Sequence, residues 1–206
     1  MAAQEPVPRS DRRSRRSRAA LEGALLTLIA ERDLAQISIA EVIGLADLNR
    51  STFYTHYSDV HDLASSACTA MFDELIATTP IWLPDLSPAS YRRGRDALLR
   101  VLAHVQENAR LYRALLGGDG SARVIDHLHR RLTIANHVSL TVPDAENHVN
   151  DPTDVPANPV AAMLAGALLG LLFEWLRRDC QESPEQLADA IAPRLTGAAS
   201  PLVWST

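Results

Sequence analysis

Three helix-start signals follow one another closely between residues 38 and 63, so this segment can form only short helices joined by tight turns. Ser38 and Glu41 form a capping box, in which a hydroxyl and a carboxylate satisfy backbone donors at a helix start. Asn49 is a strong N-cap for a second short helix, and Asp59 has the same role for a third. Asp47 tolerates the left-handed backbone of a turn. The pattern predicts a helix-turn-helix followed by a longer helix.

The second short helix carries side chains that suit contact with DNA. Arginine pairs with guanine in the major groove, serine and threonine contact base edges or phosphates, and amides at a helix N-terminus favour phosphate oxygens. Phe53 and one face of Tyr57 are expected to pack inward. An ordinary helical corner with a polar face is the alternative that this spacing leaves open. The predicted DNA-contacting residues of this segment are Ser38, Asn49, Arg50, Ser51, Thr52, Tyr54, His56 and Tyr57.

Residues 19 to 63 resemble the DNA-binding domain of TetR-family transcriptional regulators. The family pattern runs from Thr-Val-x-x-Ile-Ala-x-x-Ala-Gly-Val-Ser to Gly-Thr-Phe-Tyr-x-His-Phe-x-x-Lys-x-x-Leu. The positions that match it are Ser38, Ile39, Ile43, Ala46, Thr52, Phe53, Tyr54, His56 and Leu63. Tyr57 replaces the usual Phe, Gly44 an Ala, Asp47 the turn Gly, and Val60 the Lys near a phosphate. The resemblance implies DNA binding without the contact that this Lys would make.

Positive charge is concentrated at the N-terminus of an otherwise acidic chain. The formal net charge is −5, yet the first 18 residues hold six arginines and two acidic residues, which leaves them at +4 and the remainder at −9. We expect residues 1–17 to be a disordered arginine-rich arm that follows the phosphate backbone or enters a minor groove, with Arg16 and Arg18 contacting DNA. A solvated tail without DNA contacts is the alternative.

The rest of the chain also has helical periodicity, which predicts an all-α fold. Leu21, Leu25, Leu28 and Ile29 form a stripe that should complete a three-helix DNA-binding domain over residues 18–64. Residues 65–206 are predicted to form a larger helical bundle for ligand binding and dimerisation. Its helices are expected near residues 88–107, 109–116, 121–138 and 160–178, with a last one opened by the capping box after Ser183. Residues 141–159 are predicted to be a loop.

The segment from Met163 to Trp175 is apolar on nearly all sides, with glycines at 166 and 170, so a single core contact cannot account for it. The TetR resemblance implies that the last two helices form a four-helix bundle with a second subunit. A central core helix within a monomer is the alternative. A homodimer would present two recognition helices to a palindromic operator in double-stranded DNA. The resemblance places the interface at Leu164, Ala167, Leu168, Leu171, Trp175, Leu187, Ile191 and Leu195.

The middle helices supply apolar walls with scattered polar groups, as small-molecule pockets do. The TetR resemblance implies an effector pocket in this region and leaves the effector unknown. The predicted ligand-binding residues are Trp82, His104, Tyr112, His137, Met163 and Phe173. We therefore predict a repressor that a small-molecule effector releases from its operator, although an activator fits the same sequence. The other functional class is a dimeric helical interaction module with a degenerate DNA-binding motif.

The sequence contains no pattern typical of an enzyme. The glycines between 117 and 120 lack phosphate-loop spacing, no Ser or Cys has a local nucleophile motif, and the seven histidines lack metal-ligand spacing. We expect neither a cofactor nor a metal. Cys68 and Cys180 are expected to be small buried hydrophobes. The polar N-terminus argues against secretion, and the apolar run from Val160 to Phe173 is shorter than a membrane span, so a cytoplasmic protein without a membrane partner is expected.

Overall fold

The computed structural model describes residues 9–79, 88–117, 121–141 and 157–199, and all regular elements within these ranges are helical. This confirms the all-α prediction. The chain divides into two compact units, Met1–Cys68 and Thr69–Thr206, with the boundary inside α4. A 3₁₀ turn at Leu34–Gln36 separates the first two helices. The α-helices are α1 (Arg9–Glu31), α2 (Ile39–Leu45), α3 (Arg50–His56), α4 (Val60–Thr78), α5 (Pro88–Glu107), α6 (Ala109–Leu116), α7 (Ala122–Thr141), α8 (Pro159–Arg177) and α9 (Pro184–Ala199).

The first unit is built around the apolar stripe of α1. Leu21, Leu25 and Ile29 are buried where α1 packs on α2 and α3. Val42 of α2 and Phe53 of α3 are fully buried from the other side. Because the two short helices share one small core with α1, their mutual orientation depends on a few side chains.

The predicted disordered arm is wrong for residues 9–17, because α1 already begins at Arg9. Arginine and alanine are good helix formers, and the packed part of α1 removes the cost of nucleation for the turns that precede it. Arg12, Arg13 and Arg16 are exposed, and their spacing puts them on one side of the helix. Residues 1–8 of the predicted arm lie outside the described residues.

The second unit consists of paired helices whose bounds agree with the predicted ones within a few residues. α7 packs along α8, α5 along α9, and α6 against α7 and α8. The capping box that opens α9 is present, since Ser183 N donates to Gln186 Oε1 (2.9 Å) and Gln186 N donates to Ser183 Oγ (3.2 Å). Of the predicted 141–159 loop, residues 142–156 lie outside the described residues.

α8 has one buried side and one exposed apolar side. By length and composition it could cross a membrane, and it is the single described helix of which this is true. Its buried side packs on α7. The exposed side carries four residues at helical spacing, Met163, Gly166, Ala167 and Gly170. We term these residues the outer face of α8. This division contradicts part of the predicted dimer interface, because Leu164 and Trp175 point into the core of their own protomer.

The C-terminus of α8 is closed by side-chain and backbone hydrogen bonds. Cys180 N donates to Trp175 O (3.0 Å), and Asp179 and Cys180 both have positive φ, at 54° and 51°. Arg113 Nε donates to Leu176 O (3.2 Å), a carbonyl near the helix end that also accepts from Asp179 N (3.2 Å). The expectation of a buried small hydrophobe is confirmed for Cys68 and wrong for Cys180, which is only half-buried in this turn.

Candidate nucleic-acid interface

α2 begins at the predicted capping box. Ser38 N and Ser38 Oγ both donate to Glu41 Oε2, at 2.9 and 2.7 Å, and Glu41 N donates to Ser38 Oγ at 3.4 Å. The hydrogen bonds from Ser38 hold the pKa of Glu41 below its ordinary value. Arg32 Nη1 lies 2.8 Å from the other carboxylate oxygen. Ser38 is exposed, but its hydroxyl proton is already engaged within the cap.

The turn between α2 and α3 depends on one left-handed residue. Asp47 has a φ of 51°, as the sequence predicts for the position where the family pattern has glycine. Leu48 N donates to Ile43 O (3.0 Å), which closes α2 and reverses the chain. A residue with a Cβ is sterically strained in this conformation, whereas glycine is not. Asp47 therefore makes the fold less stable than glycine would at the same position.

Asn49 caps α3 and also organises its first turn. Its Oδ1 accepts hydrogen bonds from Thr52 N (2.8 Å), Ser51 Oγ (2.7 Å) and Thr52 Oγ1 (2.9 Å). Both hydroxyls therefore direct their protons at Asn49 and leave their lone pairs outward. In this state Ser51 and Thr52 present acceptors rather than donors to a ligand at the helix N-terminus.

One side of α3 is polar and exposed. Arg50 Nη2 donates to Tyr54 Oη (3.3 Å), and the guanidinium carbon of Arg50 lies 5.6 Å from the centre of the Tyr54 ring. Tyr54 is 50% exposed, and Thr55 and Ser51 are exposed beside it. His56, at the end of the helix, is half-buried. The ring of Tyr54 thus supports a guanidinium that projects from the first turn of α3.

The opposite side of α3 is buried, and it includes one residue that was predicted to contact DNA. Tyr57 is only 5% exposed, and its hydroxyl donates to Glu22 Oε1 (2.8 Å). Ser66 Oγ donates to the same oxygen (3.1 Å). Burial, and secondarily the Glu22 carboxylate, raises the pKa of Tyr57 well above its ordinary value. The predicted DNA contact of Tyr57 is therefore wrong, because its side chain is buried and its hydroxyl is hydrogen-bonded inside the first unit.

The predicted effector residues in the second unit are only partly brought together. His104 Nε2 and Tyr112 Oη lie 3.1 Å apart, and burial lowers the pKa of His104. His137 Nδ1 lies 3.2 Å from Asn158 Nδ2, and Phe173 is half-buried. Trp82 lies outside the described residues. Met163 belongs to the outer face of α8 and is 44% exposed, which contradicts its predicted place in an interior pocket.

A charged cluster in the second unit was missed by the sequence interpretation. Asp73 Oδ1 of α4 lies 2.8 Å from His127 Nε2 and 2.7 Å from Arg131 Nε, both on α7. The Arg131 side chain is 6% exposed, and its buried Nε is not aligned for a hydrogen bond despite the short distance. The i, i+4 spacing of His127 and Arg131 indicates that they share one side of α7. Their common partner, Asp73, is more than 50 residues away in sequence, so the spacing alone does not identify it.

Five of the six remaining predicted interface residues are at least partly accessible. Ala167 is exposed on the outer face of α8, while Leu168, Leu171, Leu187 and Ile191 are half-buried. Leu195 lies in α9. Leu164 and Trp175 are already buried within one chain, so a second copy could cover only the accessible residues of the predicted interface.

Comparison with known proteins links the second unit to transcriptional regulators. A TetR-type family model, described as a transcriptional regulator C-terminal region, matches residues 95–196. A curated relative, the uncharacterized HTH-type transcriptional regulator YxbF of Bacillus subtilis (strain 168), is 37% identical over 76 residues. That match spans 34% of this chain and only 20% of the length of YxbF.

Solved structures share the fold of this chain over 88–90% of its length. The dihydroxyacetone kinase operon activator DhaS has a TM-score of 0.60 at 18% identity, covering 88% of this chain and 94% of its own. The TetR-family repressor AlkX from Dietzia sp. strain DQ12-45-1b has a TM-score of 0.59 at 18% identity, with coverages of 89% and 97%. A TetR regulator from Streptococcus agalactiae 2603V has a TM-score of 0.55 at 22% identity, with coverages of 90% and 97%. These likenesses establish the fold, and together with the helix-turn-helix residues and the matched C-terminal region they show that the chain belongs to the TetR family of transcriptional regulators.

Proposed function

We propose that this protein is a cytoplasmic homodimeric repressor that binds a palindromic operator through α3 and leaves it when a small-molecule effector binds the second unit. The division of α3 into a buried and an exposed side is the observation that carries the DNA-binding half. Phe53 and Tyr57 hold the helix in the core, while Arg50, Ser51 and Tyr54 face solvent. A helix anchored in this way offers a fixed polar surface that fits the major groove.

Within that surface, Arg50 is the residue we assign to base recognition. Its guanidinium is supported by Tyr54 and stands in the first turn of α3, where recognition helices approach base edges. Bidentate contact with the O6 and N7 atoms of guanine requires this kind of orientation. Ser51 and Thr52 direct lone pairs outward, which suits the amino groups of cytosine or adenine as well as water-bridged phosphates.

We assign the arginine side of α1 to the phosphate backbone. Arg12, Arg13 and Arg16 lie on one side of a helix, and all three are exposed. Neutralising phosphates releases counterions and adds affinity without sequence preference. Arg18 is also exposed, but it lies on a different side of the helix from Arg16, so its predicted DNA contact is not part of this assignment. If these residues contact no DNA, the segment is a solvated extension and repression depends on α3 alone.

The outer face of α8 is our candidate for the contact with a second copy. Glycine inside a helix costs about 1 kcal/mol relative to alanine. In the protomer a Cβ at Gly170 would meet nothing within 4 Å, and one at Gly166 would meet only His129 Nε2 at 3.9 Å. Within the part of the chain that the structure describes, neither glycine therefore has a packing reason. Close approach of a partner helix would supply that reason, as small residues let helix backbones come together.

The second half of the proposal concerns effector binding and the sign of regulation. The second unit holds polar groups among buried side chains, notably the His104 and Tyr112 pair and the Asp73 cluster. Such groups can orient a small molecule in an otherwise apolar environment. Among the similar structures, AlkX is described as a repressor and DhaS as an operon activator. We favour repression, and the experiment below also tests for activation.

The test begins with capture of genomic fragments by the purified full chain, followed by footprinting and a reporter placed behind the captured site. We then compare Arg50→Ala with Arg130→Ala, a matched control in a surface i, i+4 pair of α7. Arg50→Ala should cost about 1 to 3 kcal/mol on the preferred duplex and little on a scrambled one. Arg130→Ala should leave both affinities unchanged. Absence of any preferred duplex would favour the alternative, an interaction module with a degenerate motif.

A further inference from the structure

The hydroxyl of Tyr57 connects three helices of the first unit. It lies at the C-terminal end of α3 and donates to Glu22 Oε1 of α1 at 2.8 Å. Ser66 of α4 donates to the same carboxylate oxygen at 3.1 Å, and the Tyr57 and Ser66 oxygens are 3.5 Å apart. The hydrogen-bond partners are 35 and 44 residues apart in sequence, so this is a tertiary contact and not a helix cap.

α3 needs such a contact because it is only seven residues long. Phe53 anchors its middle in the core, and its ring centre lies 6.0 Å from that of Tyr57. The buried rings of Phe53 and Tyr57 alone would still allow a short helix to tilt, since apolar contacts have no preferred direction. A directed hydrogen bond at the far end removes that freedom. The high pKa of Tyr57 keeps its hydroxyl protonated, and therefore a donor, at any physiological pH.

We propose that Glu22 is a positioning residue which, through Tyr57, fixes the tilt of α3 and so sets how well the protein distinguishes its operator from other DNA. This inference rests on the proposed function. Base contacts need the side chains of α3 in one geometry, and they carry the preference for sequence. Phosphate contacts carry no sequence information, so their strength is the same on the operator and on other DNA. Loosening α3 should therefore reduce affinity for the preferred duplex more than affinity for unrelated DNA.

The variants separate this role from a merely structural one. Tyr57→Phe keeps the ring and removes the hydroxyl, and Glu22→Leu removes the acceptor. Glu22→Gln retains an acceptor oxygen and serves as the conservative rescue. Ile29→Val, which trims the buried stripe of α1 outside the network, is the control for lost stability. The readout is the dissociation constant on the scrambled duplex divided by that on the captured duplex. It is measured at a temperature at which thermal unfolding curves show every variant to be fully folded.

We expect Tyr57→Phe and Glu22→Leu each to lower the ratio about tenfold, and the double variant to lower it no further, because both changes remove one interaction. Glu22→Gln should stay within about threefold of the wild type, and Ile29→Val should leave the ratio unchanged while lowering the melting temperature. Wild-type ratios in Tyr57→Phe and Glu22→Leu would overturn the positioning role alone. A wild-type protein that shows no preference between duplexes would instead overturn the proposed function.

Discussion

Replacing Gly170 with alanine sets two effects of opposite sign against each other. Within one chain the added Cβ meets nothing within 4 Å, so the helix should gain about 1 kcal/mol from the better helix former. For a chain of this size that gain raises the melting temperature by about 2 to 4 °C. The gain is the same in a monomer and in a dimer, so it cancels from the equilibrium between them.

The effect on that equilibrium comes from the partner helix. If the outer face of α8 packs closely on its symmetry mate, each new methyl group overpacks a contact, at about 1 to 3 kcal/mol per site. In such a twofold dimer, Gly170 of both subunits would lie in the interface, which would double the effect. We therefore expect the dimer dissociation constant to rise by about 30-fold or more, since 1.4 kcal/mol corresponds to a factor of ten.

Sedimentation equilibrium over a range of concentrations measures the dissociation constant, and thermal unfolding of the same samples measures stability. Gly23→Ala is the matched control, because Gly23 is an exposed glycine inside α1 whose Cβ would also meet nothing within 4 Å. It should raise the melting temperature and leave dimerisation alone. If Gly170→Ala behaves in the same way as Gly23→Ala, no partner helix approaches the outer face of α8 at that position.

Four further outcomes follow from features of single residues. Asp47→Gly should raise the unfolding free energy by about 1 kcal/mol in urea titrations, because glycine adopts positive φ without the steric cost; an unchanged midpoint would show no strain at this turn. Asp73→Asn should lower it by about 2 kcal/mol, less than for a fully buried pair because Asp73 is 38% exposed, and adding Arg131→Met should recover most of that loss. Deleting residues 1–17 should weaken binding to all DNA and reduce the slope of log affinity against log salt by about 2 to 3 per protomer, whereas a retained slope would mean no phosphate contacts. Because the folded pKa of His104 lies below its ordinary 6.5, the unfolded state takes up the proton first and stability should fall as pH drops through that value; His104→Gln should flatten this dependence in pH-resolved melting.

Most of the helix bounds could be predicted because they depend on interactions close in sequence. The capping boxes at Ser38 and Ser183 and the caps at Asn49 and Asp59 each join residues three positions apart, and all four hydrogen bonds are present. The left-handed turn at Asp47 is also a local property of the backbone. Signals of this range are fully contained in a short stretch of sequence, so the order of the elements followed from them.

The errors concern which side of a helix is buried, and this depends on distant partners. The predicted DNA contact of Tyr57 is wrong because Glu22, 35 residues away in sequence, accepts the hydrogen bond from its hydroxyl. The replacement of a family Phe by Tyr57 was a signal that a buried hydroxyl needed a partner. Trp175 was likewise assigned to a dimer interface, although its indole Nε1 donates to Glu182 O (3.0 Å) within the same chain. Periodicity alone could not separate the two apolar sides of α8.

If α1 contacts DNA as we propose, its helical start limits the length of DNA that one protomer can cover. Nine residues in extended form span about 30 Å, whereas the same nine residues in an α-helix rise only about 13 Å. Residues 9–17 are helical, so their arginines remain within about four base pairs of the position where α1 enters the folded domain. The protected region in a footprint should therefore end close to the two half-sites, without the long flanks that an extended arm would produce.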